Sequence, residues 1–430
     1  MKKATLLILS CALGLSVLAQ DTAKVEKPWK LTWSGFVNPH FYADTRQVVG
    51  GREDMMLFYP EPVSMDANGE DLNASPSLNL LSITARLALG VSGPDFLGAK
   101  TRGYIEGDFT GSTNESNNDL RLRHAYINMN WGQRELLIGQ FWYAMTVPEI
   151  MPGTCPLNMG SPFHPYARYN QARYVEHMGR FDLIGAAQFQ TDNKSQGPIG
   201  SSTTYLRNSC VPEINLMLRY NGDRLMLGGA ANLLVLKPRE SVTQPNGNVY
   251  KTDQRFSSLS YTLFGRYNGN GWSLKAQTLI NDNLYESATM GGYYETPVNF
   301  DGSLDYEYAN HNWTTLWMDL SRTKGKWRPG LFAGYGWNND FGTKLSKLTL
   351  DGTDYEGKAY GRGFNMEYLW RVQPRIEFAA GKGLSFFAEV EYTFAQYGKA
   401  MSDSSSKWYE HDNDGGVANI RYMLSALYRF

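Results

Sequence analysis

From residue 30 onward, the chain alternates apolar and polar positions with a period of two. The last segment shows the pattern: Ile420, Tyr422, Leu424, Ala426, Tyr428 and Phe430 alternate with a mixed, mostly polar set. In 77–91 the apolar series is Leu81, Ile83, Ala85, Leu87 and Leu89. A period of two places successive side chains on opposite faces of a strand, so these segments are predicted to be strands whose two faces meet different surroundings.

Sixteen such segments of about 9–17 residues can be recognised, and no long helical pattern interrupts them. The predicted strands are 30–43, 77–91, 99–111, 119–131, 134–142, 170–178, 181–191, 211–221, 223–236, 254–268, 271–281, 311–323, 326–338, 362–378, 383–397 and 417–430.

The connections between these strands alternate in length. One set is tight, as in MGR at 178–180 and NGD at 221–223, while most of the other set is long and polar, as in 44–76 and 282–310. Glycine and asparagine suit tight hairpins because they accept positive φ. Short turns at one end, long loops at the other and an even strand number are typical of a transmembrane antiparallel β-barrel, with short periplasmic turns and long extracellular loops.

The two ends of the chain fit an exported barrel. Residues 1–19 have a basic start, an apolar stretch and small residues before Ala19, as in a signal peptide. A lipoprotein cleaved before Cys11 is the alternative. A short segment, 20–29, then precedes the barrel at 30–430. At the other end, Tyr428 and Phe430 fit the C-terminal signal that outer-membrane barrel assembly machinery reads, and aromatic residues recur near strand ends as in membrane interfaces.

Composition limits the function. Formal net charge is −1, so nothing suggests nucleic-acid binding, and aromatic residues make up 13% of the chain. The stretch HDNDGG at 411–416 is too short for a calcium loop and lacks the distal glutamate, so we predict no metal and no cofactor. We find no motif for a nucleophile and its base, so we predict that the protein is not an enzyme.

The loop 143–169 is unusual because it holds five prolines and little charge. We interpret it as a constriction loop folded into the barrel, since an empty barrel of sixteen strands would be a wide hole. An external cap or a subunit contact is the alternative. Cys155 lies in this loop and Cys210 ends the next long loop, so we predict a disulfide that pins the loop, with two free thiols as the alternative.

Charged residues occupy positions that the alternation assigns to the barrel interior, and Arg168 lies in the loop 143–169. Basic residues on one wall and acidic residues on another would create a transverse field, and guanidinium groups favour anions such as carboxylates. Many of these arginines would instead pair with the acidic residues. The candidate pore-lining residues are Arg86, Arg121, Arg123, Arg168, Arg173, Arg219, Arg266, Arg371, Arg375, Arg421, Glu106 and Asp108.

Residues 119–176 resemble the DcaP-like porins and share features with the general trimeric porins. The resemblance rests on RLRHAY, on the LLIGQFW strand that leads into the proline-rich loop, and on the pair Arg173-Tyr174. It implies a sixteen-stranded barrel, a homotrimer and passive passage of small anionic solutes such as dicarboxylates. Many DcaP-like porins carry an N-terminal coiled coil, for which residues 20–29 leave no room.

The leading interpretation is therefore an outer-membrane diffusion porin for small hydrophilic solutes, in contact with lipid and lipopolysaccharide. A substrate-specific sugar or peptide channel, with Trp142, Tyr143 and Tyr166 as a stacking surface, is one alternative. A non-conducting barrel that acts as an enzyme or binds surfaces is another.

Overall fold

The computed structural model describes residues 29–111, 113–155 and 158–430. The predicted signal peptide, 1–19, and residues 20–28 lie outside the described residues.

The sixteen predicted strands form one closed antiparallel β-barrel, which confirms the predicted fold. Each strand pairs with the next in the chain, and the last pairs with the first through Asp44↔Arg421 and Phe36↔Arg429. The strands are β1 (Lys30–Val37 and His40–Asp44), β2 (Ser77–Leu81 and Arg86–Ser92), β3 (Lys100–Asp108), β4 (Arg121–Asn130), β5 (Arg134–Trp142), β6 (Arg168–Met178), β7 (Phe181–Phe189), β8 (Glu213–Asn221), β9 (Leu225–Leu236), β10 (Phe256–Gly269), β11 (Trp272–Asp282), β12 (Ser303–Arg322), β13 (Trp327–Asn338), β14 (Met366–Gly381), β15 (Leu384–Tyr397) and β16 (Gly416–Arg429).

The outer and inner faces of the barrel differ as the alternation requires. Leu216 and Leu263 on the outer face are 60% and 66% exposed, whereas their neighbours Asn215 and Thr262 are buried inside. An apolar outer face and a polar inner face reverse the usual arrangement of a soluble protein, which places its apolar side chains inside.

The alternation fails in β2, where residues 82–85 leave the strand. Leu80 before this break and Leu87 after it both face outward, but Ile83 is 4% exposed and packs inside the barrel against Tyr42 and Met55. The expectation that Ile83 shares the outer face with Leu87 is therefore wrong. A break also occurs in β1 at Asn38-Pro39, since proline has no N–H to donate to a neighbouring strand.

The short connections lie at one end of the barrel, here named the turn end, and the long ones at the other, the loop end. At the turn end, for example, Gly179 adopts φ +65° between β6 and β7, a value that glycine accepts without cost. None of the helices within the described residues is long and apolar enough to span a membrane.

The loop end carries additional short elements. Gly291–Phe300 pairs with the extended start of β12 and with Lys358–Arg362. Two further hairpins, Leu345–Leu350 with Thr353–Glu356 and Lys399–Ser402 with Ser406–Glu410, join into one four-stranded sheet. The remaining elements are the strand pairs Val48–Gly51 with Met56–Pro60 and Ser241–Thr243 with Val249–Lys251, the α-helix Thr204–Ser209, and single 3-10 turns at Pro148–Ile150 and Tyr285–Ser287.

The chain remains paired to its last residue. The backbone N–H of Phe430 donates to the carbonyl of Gly35, and the N–H of Gly35 donates to the carbonyl of Phe430, at 3.1 and 3.0 Å. The ring of Phe430 lies so close to Gly35 that a Cβ at this position would come within 3.0 Å of it. Gly35 thus makes room for the terminal aromatic ring.

Candidate functional site: two inserted segments and an arginine wall

Residues 143–155 and 158–167, the described part of the segment that joins β5 to β6, lie inside the barrel and are named the inner loop. The backbone N–H groups of Gly153 and Cys155 donate to Asp319 on β12 and Glu389 on β15, at 3.3 and 2.9 Å. Lys275 on β11 donates to the carbonyl of Met151 at 2.6 Å. The inner loop therefore crosses the lumen and is held by polar side chains that point inward from widely separated strands.

A second segment, absent from the sequence-based prediction, also enters the lumen. This is the hairpin 48–60, named the inner hairpin, in which Met55 and Leu57 have no exposed surface. Its carbonyls at Leu57 and Phe58 accept hydrogen bonds from Arg371 at 3.1 and 3.0 Å. The apolar run MMLFYP at 55–60, within an otherwise polar loop, is the signal that could have indicated it.

Two arginines and two carboxylates of adjacent strands form a buried network. Arg121 on β4 holds Asp108 on β3 through two hydrogen bonds of 3.1 and 3.0 Å. Arg123 donates to Glu106 and to Asp108, both at 2.7 Å. Arg86 on β2 lies 3.5 Å from Glu106. Four of the candidate residues that the alternation placed inside, Glu106, Asp108, Arg121 and Arg123, are thus brought together with Arg86.

Tyr166 of the inner loop joins this network. Its hydroxyl oxygen accepts hydrogen bonds from Arg123 at 3.3 Å and from Arg168 at 3.1 Å. Burial raises the pKa of Tyr166, but the charges of Arg123, Arg168 and other nearby arginines outweigh it and bring the pKa to about 6. The guanidinium of Arg168 also lies 5.2 Å from the ring centres of Trp142 and Tyr166.

Arg52 of the inner hairpin was not among the candidates, because it lies in a loop where alternation gives no information. It lines the same space as Arg121 and Arg168. Burial, and the guanidinium of Arg121 beside it, lower the pKa of Arg52 to about 10, so it stays charged at neutral pH. We name Arg52, Arg86, Arg121, Arg123 and Arg168 the arginine wall. Glu106 and Asp108 pair with members of this wall, and Asp192 and Glu286 also line the loop-end space, so its five cations outnumber four nearby carboxylates.

The next group of candidates lies elsewhere on the interior. Arg219 on β8 donates to Asp182 at 2.7 Å and to Glu149 of the inner loop at 2.6 Å. Arg266 on β10 donates to the carbonyl of Glu149 at 3.2 Å. The guanidinium of Arg173 lies 5.9 Å from the ring centre of Phe141. Arg219 and Arg266 anchor the inner loop where it passes β8 and β10.

The last three candidate arginines are Arg371, Arg375 and Arg421. They bind either the inserted segments or carboxylates on the barrel strands. Arg371 and Arg421 have no exposed surface. Arg371 donates to the carbonyl of Ser161 at 2.7 Å, and Arg421 donates to Asp44 at 2.7 and 2.8 Å. Arg375 pairs with Asp319 at 2.8 Å. In this structure Arg371 and Arg421 therefore do not present a surface to a passing solute, in contrast to their expected pore-lining position.

The predicted disulfide is wrong, because Cys155 and Cys210 are both free thiols. Cys155 is buried inside the barrel, where its N–H donates to Glu389 on β15. Cys210 is exposed and ends the helix Thr204–Ser209 in the loop before β8. Order along the chain made the two loops neighbours, but the inner loop turns across the lumen and takes Cys155 to a distant strand.

The aromatic residues that could have formed a stacking surface do not share one. Tyr143 has no exposed surface and donates to Glu213 at 2.7 Å. The ring centres of Trp142 and Tyr166 lie 5.4 Å apart, with arginine side chains against both rings.

In the stretch HDNDGG, Asp412 accepts a hydrogen bond from the backbone N–H of Asp414. Among the described residues, no cluster of three or more His, Cys, Asp or Glu side chains is placed to hold a metal ion.

Within the described part of the chain, the barrel interior contains a cavity toward each of its ends. The loop-end chamber has a volume of 240 Å³ and is lined by Arg52, Met56, Phe58, Tyr166 and Arg362, among others. The turn-end chamber has a volume of 430 Å³ and is lined by Phe36, Arg86, Cys155, Met159 and Arg328, among others. Arginine side chains thus line both chambers.

Comparison with known proteins supports the fold. No family model matches the chain, and no curated protein sequence matches it. Among solved structures, the outer membrane channel DcaP of Acinetobacter baumannii is similar, with a TM-score of 0.63, 16% identity, and coverage of 96% of this chain and 100% of that one. An anion-selective porin from Comamonas acidovorans gives a TM-score of 0.55 at 10% identity, covering 94% and 100%. The trimer form of OmpT, an outer membrane protein of Vibrio cholerae, gives 0.54 at 10% identity, covering 94% and 100%. The chain therefore has the fold of the porin barrels, and the resemblance to the DcaP-like porins is confirmed at the level of the fold.

Proposed function

We propose that the protein is an outer-membrane channel through which small hydrophilic solutes diffuse passively, with a preference for anions such as carboxylates. The observation that carries this proposal is the arginine wall. Its five guanidinium groups gather where the inner loop meets β3, β4 and β6, and they outnumber the carboxylates of Glu106, Asp108, Asp192 and Glu286 beside them. In a narrow lumen with low-dielectric walls, such an excess of one charge selects counter-ions.

The location follows from the outer face of the barrel. Leucines such as Leu216, Leu263 and Leu424 are exposed on it, and exposed tryptophans such as Trp33 and Trp327 lie near strand ends. A band of this kind suits a bilayer, and closure of the barrel leaves no unpaired strand edge in hydrocarbon. The turn end would then face the periplasm and the loop end the exterior, in contact with lipopolysaccharide. Export would rely on the signal peptide 1–19, and insertion on recognition of Phe430 by the assembly machinery.

A homotrimer is part of the same proposal. It is supported by the resemblance to trimeric porins and by the trimer form of the Vibrio cholerae protein with the same fold. Cross-linking of the purified protein in detergent, followed by mass determination, tests it.

The decisive experiment is conductance in a planar bilayer under a salt gradient. We expect discrete steps in groups of three and a reversal potential on the anion side. A well-inserted barrel without conductance would contradict the proposal. It would favour the alternative of a barrel that acts at its surface, for which the complete burial of Arg123, Arg371 and Arg421 in mid-lumen is the supporting observation.

A further inference from the structure

The two chambers have separate linings. The loop-end chamber is bounded by Met56 and Phe58 of the inner hairpin, and the turn-end chamber by Met159 and Cys155 of the inner loop. Within the described part of the chain, no residue lines both chambers. A solute that crosses the barrel must therefore pass a boundary formed by the two inserted segments and the adjoining wall.

Met159 lies at the centre of this boundary. It packs against the cluster of Met56, Phe58 and Tyr166 that lines the loop-end chamber. It also packs against the cluster of Met55, Ile83 and Cys155. One side chain thus joins the apolar groups of both inserted segments. We name Met55, Met56 and Met159 the methionine septum.

Hydrogen bonds hold the backbone on either side of the septum. Arg371 holds the carbonyls of Leu57 and Ser161, which belong to the two inserted segments. Asn158, next to Met159, donates to Glu391 on β15 at 2.9 Å. Methionine is unbranched and has three rotatable bonds, so it changes rotamer and fills variable space more readily than other apolar residues.

The conformation of Met159 indicates that its side chain matters. Its φ is +43°, a left-handed conformation that glycine adopts freely and that other residues seldom adopt. Non-glycine residues held in such conformations cluster at ligand clamps and switch regions.

The septum lies beside the arginine wall. Arg168 and Arg121 line the loop-end chamber, Arg86 lines the turn-end chamber, and Arg123 connects them through Glu106 and Asp108. Between the chambers, a solute would therefore have guanidinium groups on one side and methionine side chains on the other.

We propose that the methionine septum is the gate that sets the size limit of the channel, opening by rotation of Met159, Met56 and Met55 while the inserted segments stay in place. This inference rests on the proposed channel function. The arginine wall then sets the charge preference and the septum sets the aperture.

The test compares Met159→Ala and Met56→Ala with the wild type in planar bilayers. We expect each substitution to raise single-channel conductance by roughly 1.5-fold or more, because pore dimensions govern flux. Larger neutral polyethylene glycols should then enter the channel, while the reversal potential in a salt gradient stays unchanged. Met159→Leu, which keeps the volume with a branched side chain, should not raise conductance above that of the wild type. Met401→Ala, in the hairpin Lys399–Ser402 at the loop end, is the matched control for loss of a methionine.

The outcomes separate the two proposals. A conducting wild type with unchanged conductance and polymer exclusion in both alanine variants would overturn the gate. Altered conductance accompanied by altered reversal potential would also overturn it, since this indicates movement of the arginine wall. A silent wild type with conducting alanine variants would contradict passive diffusion through the resting barrel and would support a gate that is closed at rest. Silence of all the variants, in barrels that retain their folded mobility on gels, would overturn both proposals.

Discussion

Arg123 and Asp108 form an ion pair in mid-lumen with no exposed surface on either side chain, with Nη1 2.7 Å from Oδ2. Arg121 grips the same carboxylate, so Asp108 is held by two guanidinium groups. A buried charge is tolerated when it is paired and hydrogen-bonded. Because Asp108 already pairs with Arg121 and Arg123, it does not neutralise the other members of the arginine wall. Arg168 is one of these members.

Arg168→Gln should lower the preference for anions. Among the described residues no carboxylate forms an ion pair with Arg168, whose guanidinium donates to Tyr166 and lines the loop-end chamber. We expect the reversal potential in a salt gradient to move toward the cation side, and the free energy of unfolding to fall by about 1–3 kcal/mol because Arg168 is buried and hydrogen-bonded. Arg207→Gln, on the exposed helix at the loop end, is the control. An unchanged reversal potential would remove Arg168 from the filter.

The single variants Arg123→Ser and Arg173→Ser compare the contributions of two parts of the barrel interior to selectivity. Arg123→Ser removes one cation and releases Glu106 and Asp108 from it, so we expect a larger fall in anion preference than for Arg168→Gln. Loss of one partner from a buried pair should also cost about 3–5 kcal/mol of stability. Arg173→Ser, outside the arginine wall, should change selectivity less. Equal effects of the two substitutions on the reversal potential would contradict this division.

Anion preference should fall as pH rises through about 6. Burial raises the pKa of Tyr166, but Arg123, Arg168 and their neighbours lower it to about 6. Below this pH the phenol is neutral; above it the phenolate offsets one positive charge of the arginine wall. When the reversal potential is measured between pH 5 and pH 8, the wild type should show this fall in anion preference and Tyr166→Phe should not.

Glu286 provides the control for the pH experiment, because it lines the same loop-end chamber. Burial, with the nearby carboxylate of Glu213, raises the pKa of Glu286 well above its usual range. Ionisation of Glu286 should therefore produce a separate fall in anion preference at higher pH. This second step should be absent in Glu286→Gln. Retention of the step near pH 6 in Tyr166→Phe would contradict the assignment to the phenol.

Asp44→Asn should destabilise the seam at which the barrel closes. Asp44 on β1 and Arg421 on β16 are fully buried and joined by hydrogen bonds of 2.8 and 2.7 Å. An uncompensated buried arginine costs about 3–5 kcal/mol, and we expect this loss in urea unfolding of the refolded protein. The double variant Asp44→Asn, Arg421→Gln should recover part of it. Full stability of the single variant would show that the pair does not hold the seam.

Thiol labelling tests the absence of the disulfide. A maleimide should label Cys210 in the folded protein, and Cys155 as well after unfolding without reductant, since both are free and only Cys155 is buried. Cys210→Ser should then lose all labelling of the folded state. A single species that resists labelling until reductant is added would indicate a bond between the two.

The alternation was enough to identify the strands, because the two faces of a barrel strand meet different surroundings whatever its neighbours are. It placed Arg121 and Arg123 inside and Leu122 outside, and the structure agrees. It failed at Ile83 and Leu81, where residues 82–85 leave the strand and the faces exchange. Periodicity assumes a continuous ladder, and nothing in the local pattern marks this interruption.

Partners within the lumen depended on tertiary structure. The proline-rich composition of 143–169 indicated an inner loop, but not that Cys155 would meet Glu389 or that Met159 would meet the inner hairpin. Pairs such as Arg371 and Leu57 are separated by 314 positions, and contacts at such distance depend on barrel closure and on the path of each loop. Local alternation and turn residues were sufficient to predict the barrel, its strand number and the polarity of its faces. Which arginines keep an unpaired charge and which hold the inserted segments could not be predicted in this way, because barrel closure determines which carboxylates and carbonyls come within reach of each guanidinium.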